Sequence, residues 1–462
     1  MGLRIRPIEE ESQFCERVTV DVITQVVPVE TIQAVLAECQ DKAQRQRKLP
    51  RLLTLLLCIG MNLFSEVSLK MVLVRLVHGT RLLSGEGVAV TANKSAISEA
   101  RYRLGVEPLA KLFSRVCRPI ATPLTVGAFA YGLRLVALDG SLEDVADTPV
   151  NTAAFGRPSN QNGPGAFPQA RIAYLCECGT HVIFDAWFGG FTDDEHRACR
   201  QLLRSVEADM LVMVDKGLCD FDTLKAIAQR GAQVLARLPS GTKPQWVKTL
   251  SDGSYLAYLR PSDYRRRAAG ERLLVRVITY TLADPARPGH ALIHRLVTTL
   301  LDATTYSALD LICLYHERWE VEITIDEIHT HQRLTTRPLR SLKPDGVLQE
   351  LYALLLAHFV VRFTMHQAAQ VAHLDPDQLS FVNAVRLICD AIPDFQLSIL
   401  DDHPALWRRL LNDVLHFRLP PRDNRINPRV VKRQRSKFDV KRPWHRSWPH
   451  PSRPFRQCVI LQ

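Results

Sequence analysis

Residues 307–332 read SALDLICLYHERWEVEITIDEIHTHQ, and how this stretch folds decides how the rest of the chain is read. The spacing predicts one long helix. Ser307 with Asp310 three positions on has the form of an N-terminal capping pair, and no Pro or Gly follows until Pro338. Leu311, Leu314, Val321, Ile325 and Ile328 recur at helical spacing and predict one buried stripe. Beside it run Tyr315, Arg318, Glu322 and His329, whose steps of three, four and seven share one helical face. That puts an aromatic hydroxyl, a guanidinium, a carboxylate and an imidazole on one side. Alone, this is either a solvated charged face or half of a site. The partners elsewhere in the chain discriminate.

Two further carboxylates supply them. Residues 133–138 read as a buried strand ending in Asp139 and a Gly-Ser turn. Residues 170–176 and 181–187 read as a hairpin about Gly179 and Thr180, followed by a helix over 193–206. Residues 210–214 form an apolar strand ending in Asp215, with Lys216 and Gly217 at the turn; a helix over 221–230 and a strand over 233–238 follow. In open α/β sheets the carboxyl ends of the strands are where ligands bind, although Asp is also a common turn residue. Two strand-end aspartates and a helical glutamate make three hard oxygen donors, enough for one or two Mg²⁺ ions. Two such ions about 4 Å apart support in-line phosphoryl displacement. Arg318, one turn before Glu322, suits a bidentate phosphate clamp, and Tyr315 offers a hydroxyl.

These residues resemble the DDE transposases of bacterial insertion sequences, of the insertion-element-4 group. Asp139 in LDGS, Asp215 in VDKG, and Tyr315, Arg318 and Glu322 in YHERWEVE match the family pattern Y-x-x-R-x-x-x-E-x-x-x-x-x-x-K. One position departs: His329 stands where the family has Lys. The resemblance implies catalytic and metal-holding roles for Asp139, Asp215 and Glu322, with Mg²⁺ as cofactor and Mn²⁺ as substitute. It implies phosphate contacts from Tyr315, Arg318 and position 329; an imidazole makes such a contact well only when protonated. Trp319 is the aromatic that would stack near a flipped terminal base, with a core tryptophan as the alternative.

The implied fold class is α/β, a ribonuclease H-like core (mixed sheet with flanking helices) interrupted by a β-rich insertion. Asp215 and Glu322 are 107 positions apart, too far for a plain core of that type. Between them, residues 254–259, 272–282 and 290–300 alternate with period two around a basic turn at 264–267. The expected divisions are an N-terminal helical DNA-end-binding domain (1–125), core (126–239), insertion (240–301), core with the glutamate helix (302–372), a helical segment (373–417) and a basic, Pro-rich tail (418–462). In the first, residues 49–57, 67–77 and 108–116 are the clearest helices. Ser95 caps a short helix bearing Lys94, Arg101 and Arg103, the outline of a DNA-reading element or of any short basic helix. Residues 348–370 and 377–391 read as apolar core helices.

Composition fits this outline. An apolar fraction of 46% in 462 residues excludes wholesale disorder. Residues 418–456 hold thirteen Lys or Arg against two acids, which accounts for the whole net charge of +11 and suits a polyanion, with a tail expected to be extended or disordered when free. The apolar run at 52–60 is too short to span a bilayer and residues 1–13 are too polar for a secretory signal. The expectation is a cytoplasmic, nucleoid-associated protein with no membrane partner. Eleven cysteines show no metal spacing; Cys176 and Cys178 are a lone C-x-C read as strand residues. The expected partners are double-stranded DNA, at element ends and target, and a second copy in a homodimer. Two other readings share these residues: a metal nuclease on the same fold without strand transfer, and a catalytically silent or decayed DNA-binding copy, which His329 suggests.

Overall fold

The computed structural model describes residues 22–39, 49–77, 92–160, 163–287, 289–333, 338–420, 430–431, 439–440 and 453–461. In chain order the helices are α1 (Val22–Val26), α2 (Val29–Glu38), α3 (Arg51–Leu63), α4 (Leu69–Leu76), α5 (Lys94–Leu104), α6 (Glu107–Val116), α7 (Pro149–Phe155), α8 (Glu195–Leu202), α9 (Phe221–Gln229), α10 (Tyr264–Ala268), α11 (Ala308–His316), α12 (Trp319–Asp326), α13 (Pro344–Ala372), α14 (Phe381–Leu397), α15 (His403–Leu415) and α16 (Phe455–Cys458). The strands are β1 (Phe129–Ala130), β2 (Leu133–Asp144), β3 (Gln169–Glu177), β4 (Val182–Gly190), β5 (Met210–Val214), β6 (Gln233–Arg237), β7 (Gln245–Thr249), β8 (Tyr255–Leu259), β9 (Leu273–Leu282), β10 (His294–Thr298) and β11 (Val459–Leu461), besides two short two-residue pairings. The chain is mixed α/β. It divides into two compact units, Met1–Ser205 with Trp319–Leu419, and Val206–Arg318 with Pro420–Gln462.

The first unit is organised around α13. Its run from Leu351 to Met365 is almost wholly apolar and buried, and the helix packs against α3, α6, α14, α15 and β4. It is long and apolar enough to cross a membrane by length and composition, but 83% of that apolar window is buried inside the protein. Pro344 suits the first turn, where its missing N–H costs nothing, and His373 closes the helix in the left-handed region at φ 51°. Several of the polar groups that α13 buries bind neighbouring segments. Gln349 donates to the carbonyls of Arg101 and Gly105, and Glu350 accepts from Ser341 N and Oγ. In the same unit β2, β3 and β4 form an antiparallel meander, with α8 packed against all three.

Asp139 does not end its strand, contrary to the sequence expectation. β2 runs on for five more residues, pairing Asp139 with Tyr174 and Asp144 with Gln169. Gly140 is therefore a strand residue, not a turn residue. A Cβ there would lie 2.5 Å from Glu195 Oε1, so the glycine admits that carboxylate to the backbone beside Asp139.

The second unit carries a mixed sheet in the order β5-β6-β10-β9-β8-β7. Only β5 and β6 are parallel. The strands expected as a β-rich insertion thus continue the sheet directly from β6 through β10. The basic turn at 264–267 is the one-turn helix α10, capped by Asp263. The end of the tail is not loose: β11 pairs antiparallel with β9, and Phe455 stacks on His316 with ring centroids 4.4 Å apart. Most of residues 421–452, like residues 1–21, lie outside the described set.

Arg276 ties this sheet to its return segment. It is fully buried, ion-paired with Asp252, and donates to Ser254 Oγ at 2.8 Å and to the Tyr306 carbonyl at 2.6 Å. Removing it leaves buried acceptors unmatched. Arg276→Met is expected to cost about 3–5 kcal/mol, read as a lower denaturant midpoint; an unchanged midpoint would show that the guanidinium is dispensable.

Candidate active site

The stretch expected as one helix is three pieces. α11 ends at His316, Glu317 and Arg318 form a turn with i→i−3 bonds to Leu314 and Tyr315, α12 begins at Trp319, and residues Glu327–Gln332 are a π-helical turn. Ser307 does cap α11, accepting from Asp310 N. No Pro or Gly breaks the run, so local sequence holds no signal for the interruption. The anchors on either side explain it. Tyr315 donates its hydroxyl to the Val214 carbonyl at 3.1 Å in the second unit, while Glu320 accepts from Gly179 N in the first.

The expected line of Tyr315, Arg318, Glu322 and His329 is accordingly not one face of one uniform helix. The Tyr315 hydroxyl, held protonated by burial, bonds to the carbonyl immediately before Asp215. Arg318 is buried, with its guanidinium 5.9 Å from the Tyr315 ring centroid. Trp319 is 44% exposed, which excludes the core reading of that residue. Asp215 follows β5 directly, as expected, and its carboxylate accepts from Lys216 N.

Within the first unit, α12 packs on β2. Alternation along β2 puts Asp139, Ser141 and Glu143 on one face, and the pair partner of Asp139, Tyr174, lies on it too. That face meets α12 and the π-turn. Cys176 Sγ lies 3.6 Å from Thr324 Oγ1, and Tyr174 Oη lies 3.4 Å from His329 Nε2. Asp139 and Glu322, both half-buried, therefore belong to packed neighbours, the strand and the helix laid over it.

His329 is held from both sides. Its Nδ1 is 2.8 Å from Glu143 Oε1 and its Nε2 is 3.2 Å from Ser141 Oγ. Arg333, one turn on, binds the other Glu143 oxygen. In this arrangement the imidazole of the π-turn is bound to Glu143 and Ser141 of β2. Ser141, Glu143 and Tyr174 escaped the sequence reading. Their one signal was the period-two spacing of Ser141 and Glu143 from Asp139, which is legible only if the strand continues past Gly140.

In the N-terminal helices the cap of α5 is Asn93, which accepts from Ala96 N, and not Ser95, whose hydroxyl donates to Asn93. Lys94 is exposed, and Arg103 pairs with Glu99 at 3.8 Å. Arg101 is 7% exposed and donates to Ser341 Oγ and the Gly346 carbonyl, so its role here is to hold α5 to the start of α13. Cys176 and Cys178 are fully buried, and no disulfide occurs among the described residues.

The family model described as "Insertion element 4 transposase N-terminal" matches residues 17–114, and the one described as "Transposase DDE domain" matches residues 132–360. The chain belongs to the insertion-element-4 family of DDE transposases. It is 29% identical over 433 residues to "Transposase InsG for insertion sequence element IS4" of Escherichia coli (strain K12), covering 92% of each chain. It is 22% identical over 215 residues to "Putative transposase InsZ" of the same organism, covering 46% of this chain and 69% of that one. Membership makes this transposase a DNA-acting enzyme of a class that uses divalent metal.

Glu143 gives a pH signature. Burial works to raise its pKa, but hydrogen bonds and charge from His329 and Arg333 outweigh it and hold the carboxyl below its ordinary value of 4.5. A lowered folded-state pKa stabilises above the unfolded value, and that stability is lost as the pH falls through the folded one. Melting followed from pH 6 downward should therefore drop more steeply in the wild type than in Glu143→Gln. Parallel curves would refute the assignment.

Proposed function

We propose that Asp139, Asp215 and Glu322 are the catalytic triad of a transposase that binds the terminal inverted repeats of its own element. As a homodimer pairing two ends, it would cut at the element boundary and join the freed 3′-hydroxyl to target DNA. The observation that carries this reading is the packing of the Glu322 helix on the strand bearing Asp139, on the face where Asp139 lies. Asp215, directly after β5 at a Lys-Gly turn, supplies the third carboxylate of the family pattern.

The donor set fits a hard divalent ion: three carboxylates, none of them deeply buried, with no thiol or imidazole among them. Mg²⁺ is the proposed ion, with Mn²⁺ able to substitute, held by Asp139, Asp215 and Glu322. When bound, it supplies Lewis-acid activation of the attacking oxygen and stabilisation of the leaving one. The protein's own parts hold the carboxylates in place. Tyr315 fixes the backbone before Asp215, and Tyr174, Ser141 and Glu143 hold the π-turn that follows the Glu322 helix. The core is read as ribonuclease H-like, with β7 to β10 as the insertion that helps grip the DNA end. Trp319, with its exposed ring, is the proposed stacking residue. Lys94 and Arg103 on α5, Arg318, and the basic residues at 418–456 are the proposed phosphate contacts, which implies salt-sensitive binding.

The test is Mg²⁺-dependent cleavage of a labelled duplex carrying the DNA that flanks the gene. Asp139→Asn, Asp215→Asn and Glu322→Gln should each lower cutting at the boundary by at least about 100-fold while leaving end binding intact. Cleavage that survives Asp139→Asn would refute the triad. Equal affinity for scrambled DNA would indicate a nuclease without end recognition.

The placement of His329 favours a second reading, a catalytically silent DNA-binding copy, because the residue at the family's lysine position is occupied by Glu143 and Ser141. His329→Lys separates the two. Cutting that rises from nothing supports the silent copy, and cutting already present in the wild type rejects it.

A further inference from the structure

A second group of ligating side chains lies in the first unit and shares no residue with the proposed triad. His181, Glu320 and Asp377 each direct one donor atom into a common space, all within 4.8 Å of one another. His181 Nε2 is 3.0 Å from Asp377 Oδ1 and 4.0 Å from Glu320 Oε2. Ligands about 2.0–2.2 Å from a tetrahedral ion stand about 3.3 Å from each other, so these separations are on the scale of a coordination shell.

Three features mark this as a built site and not a chance acidic cluster. His181 is 1% exposed, yet neither ring nitrogen makes a hydrogen bond of acceptable geometry. A buried imidazole in that state is exceptional. Next, the backbone is forced to present it. His181 adopts a left-handed φ of 58°, and the preceding turn is pinned at Gly179, φ 79°, where a Cβ would lie 2.7 Å from Ala128 N. A non-glycine residue holds such a conformation only when its surroundings impose it. Finally, His181 Nδ1 faces Glu327 Oε1 at 3.4 Å, and Glu327 is itself braced by Arg362 at 3.0 Å and His358 at 3.3 Å. A carboxylate behind the second ring nitrogen is the arrangement that orients metal-binding histidines.

Charge points the same way. Glu320 and Asp377 set two carboxylates against the buried imidazole, and Arg362 is shared between Asp377 and Glu327. Carboxylates crowded about a buried imidazole are costly unless a cation offsets them. We propose that His181 Nε2, Glu320 and Asp377 bind a structural first-row divalent ion, with Zn²⁺ the best match to a mixed imidazole and carboxylate set. Glu320 lies in the first turn of α12, two positions before Glu322. The ion would therefore fasten the start of that helix to the β3–β4 turn and to the segment after α13. This site stands independently of the triad reading, since its readouts are metal content and melting, not cleavage.

The experiment uses the full-length protein, stripped with EDTA and titrated with Zn²⁺ in the presence of millimolar Mg²⁺. Elemental analysis after gel filtration should find one retained equivalent, and Zn²⁺ should raise the melting midpoint by several degrees. Asp139→Asn should keep that equivalent. His181→Asn and Asp377→Asn, checked for folding by circular dichroism, should lose it along with the melting shift; Glu320→Gln replaces either variant that does not fold. A wild type that retains no zinc and melts alike with and without it overturns the proposal. So does an equivalent that survives in the folded variants, or one whose Co²⁺ form shows thiolate charge-transfer absorption, which would place the ion on cysteine.

Discussion

Burial of α13 is the constraint on which the first unit depends. In a 29-residue helix enclosed on nearly every side, an unmatched polar group is costly, because water cannot reach it. Gln349 and Glu350 at its start bind the end of α5 and the segment at Ser341. Further along, His358 and Arg362 bind Glu327 in the π-turn. One buried element thus fixes the N-terminal helices, the turn after the glutamate helix and the segment at Asp377. The apolar surface supplies the stabilisation; the polar anchors set which neighbours are held, and where.

The glutamate helix is positioned by the same logic at smaller scale. Its first turn is held by Glu320 against Gly179, its middle by Thr324 over Cys176, and the turn beyond it by His329 and Arg333 on Glu143. Glu322 sits between these fixed points. A carboxylate proposed to share an ion needs a backbone that does not drift, and these contacts on its neighbours supply that. The π-turn belongs to this arrangement, since it brings both His329 and Arg333 to one carboxylate.

Much of the architecture was legible in the residues. The apolar strand before Asp215, the hairpin about Gly179, the strands after residue 254 and the core helix after residue 344 follow from periodicity and turn chemistry. Two readings went wrong for physical reasons. Gly140 and Ser141 look like a turn, but cross-strand pairing with β3 carries the strand through them. Residues 307–332 look like one helix, but their anchors lie in different units and the backbone turns at Glu317 and Arg318. At the end of the tail, residues 459–461 pair with β9, a partner that no local pattern announces.

The sequence alone determined the family, the carboxylates proposed for catalysis, and the class of partner that the basic charge suits. Those are properties of residue identity and spacing, which a motif records directly. Tertiary structure alone decided what the flanking residues do. It turned Tyr315 to a backbone carbonyl, Arg101 to the end of a core helix and His329 to Glu143, and it gathered His181, Glu320 and Asp377 from three distant segments. A side chain's partner is set by which groups packing excludes from water together, and no local stretch of sequence encodes that.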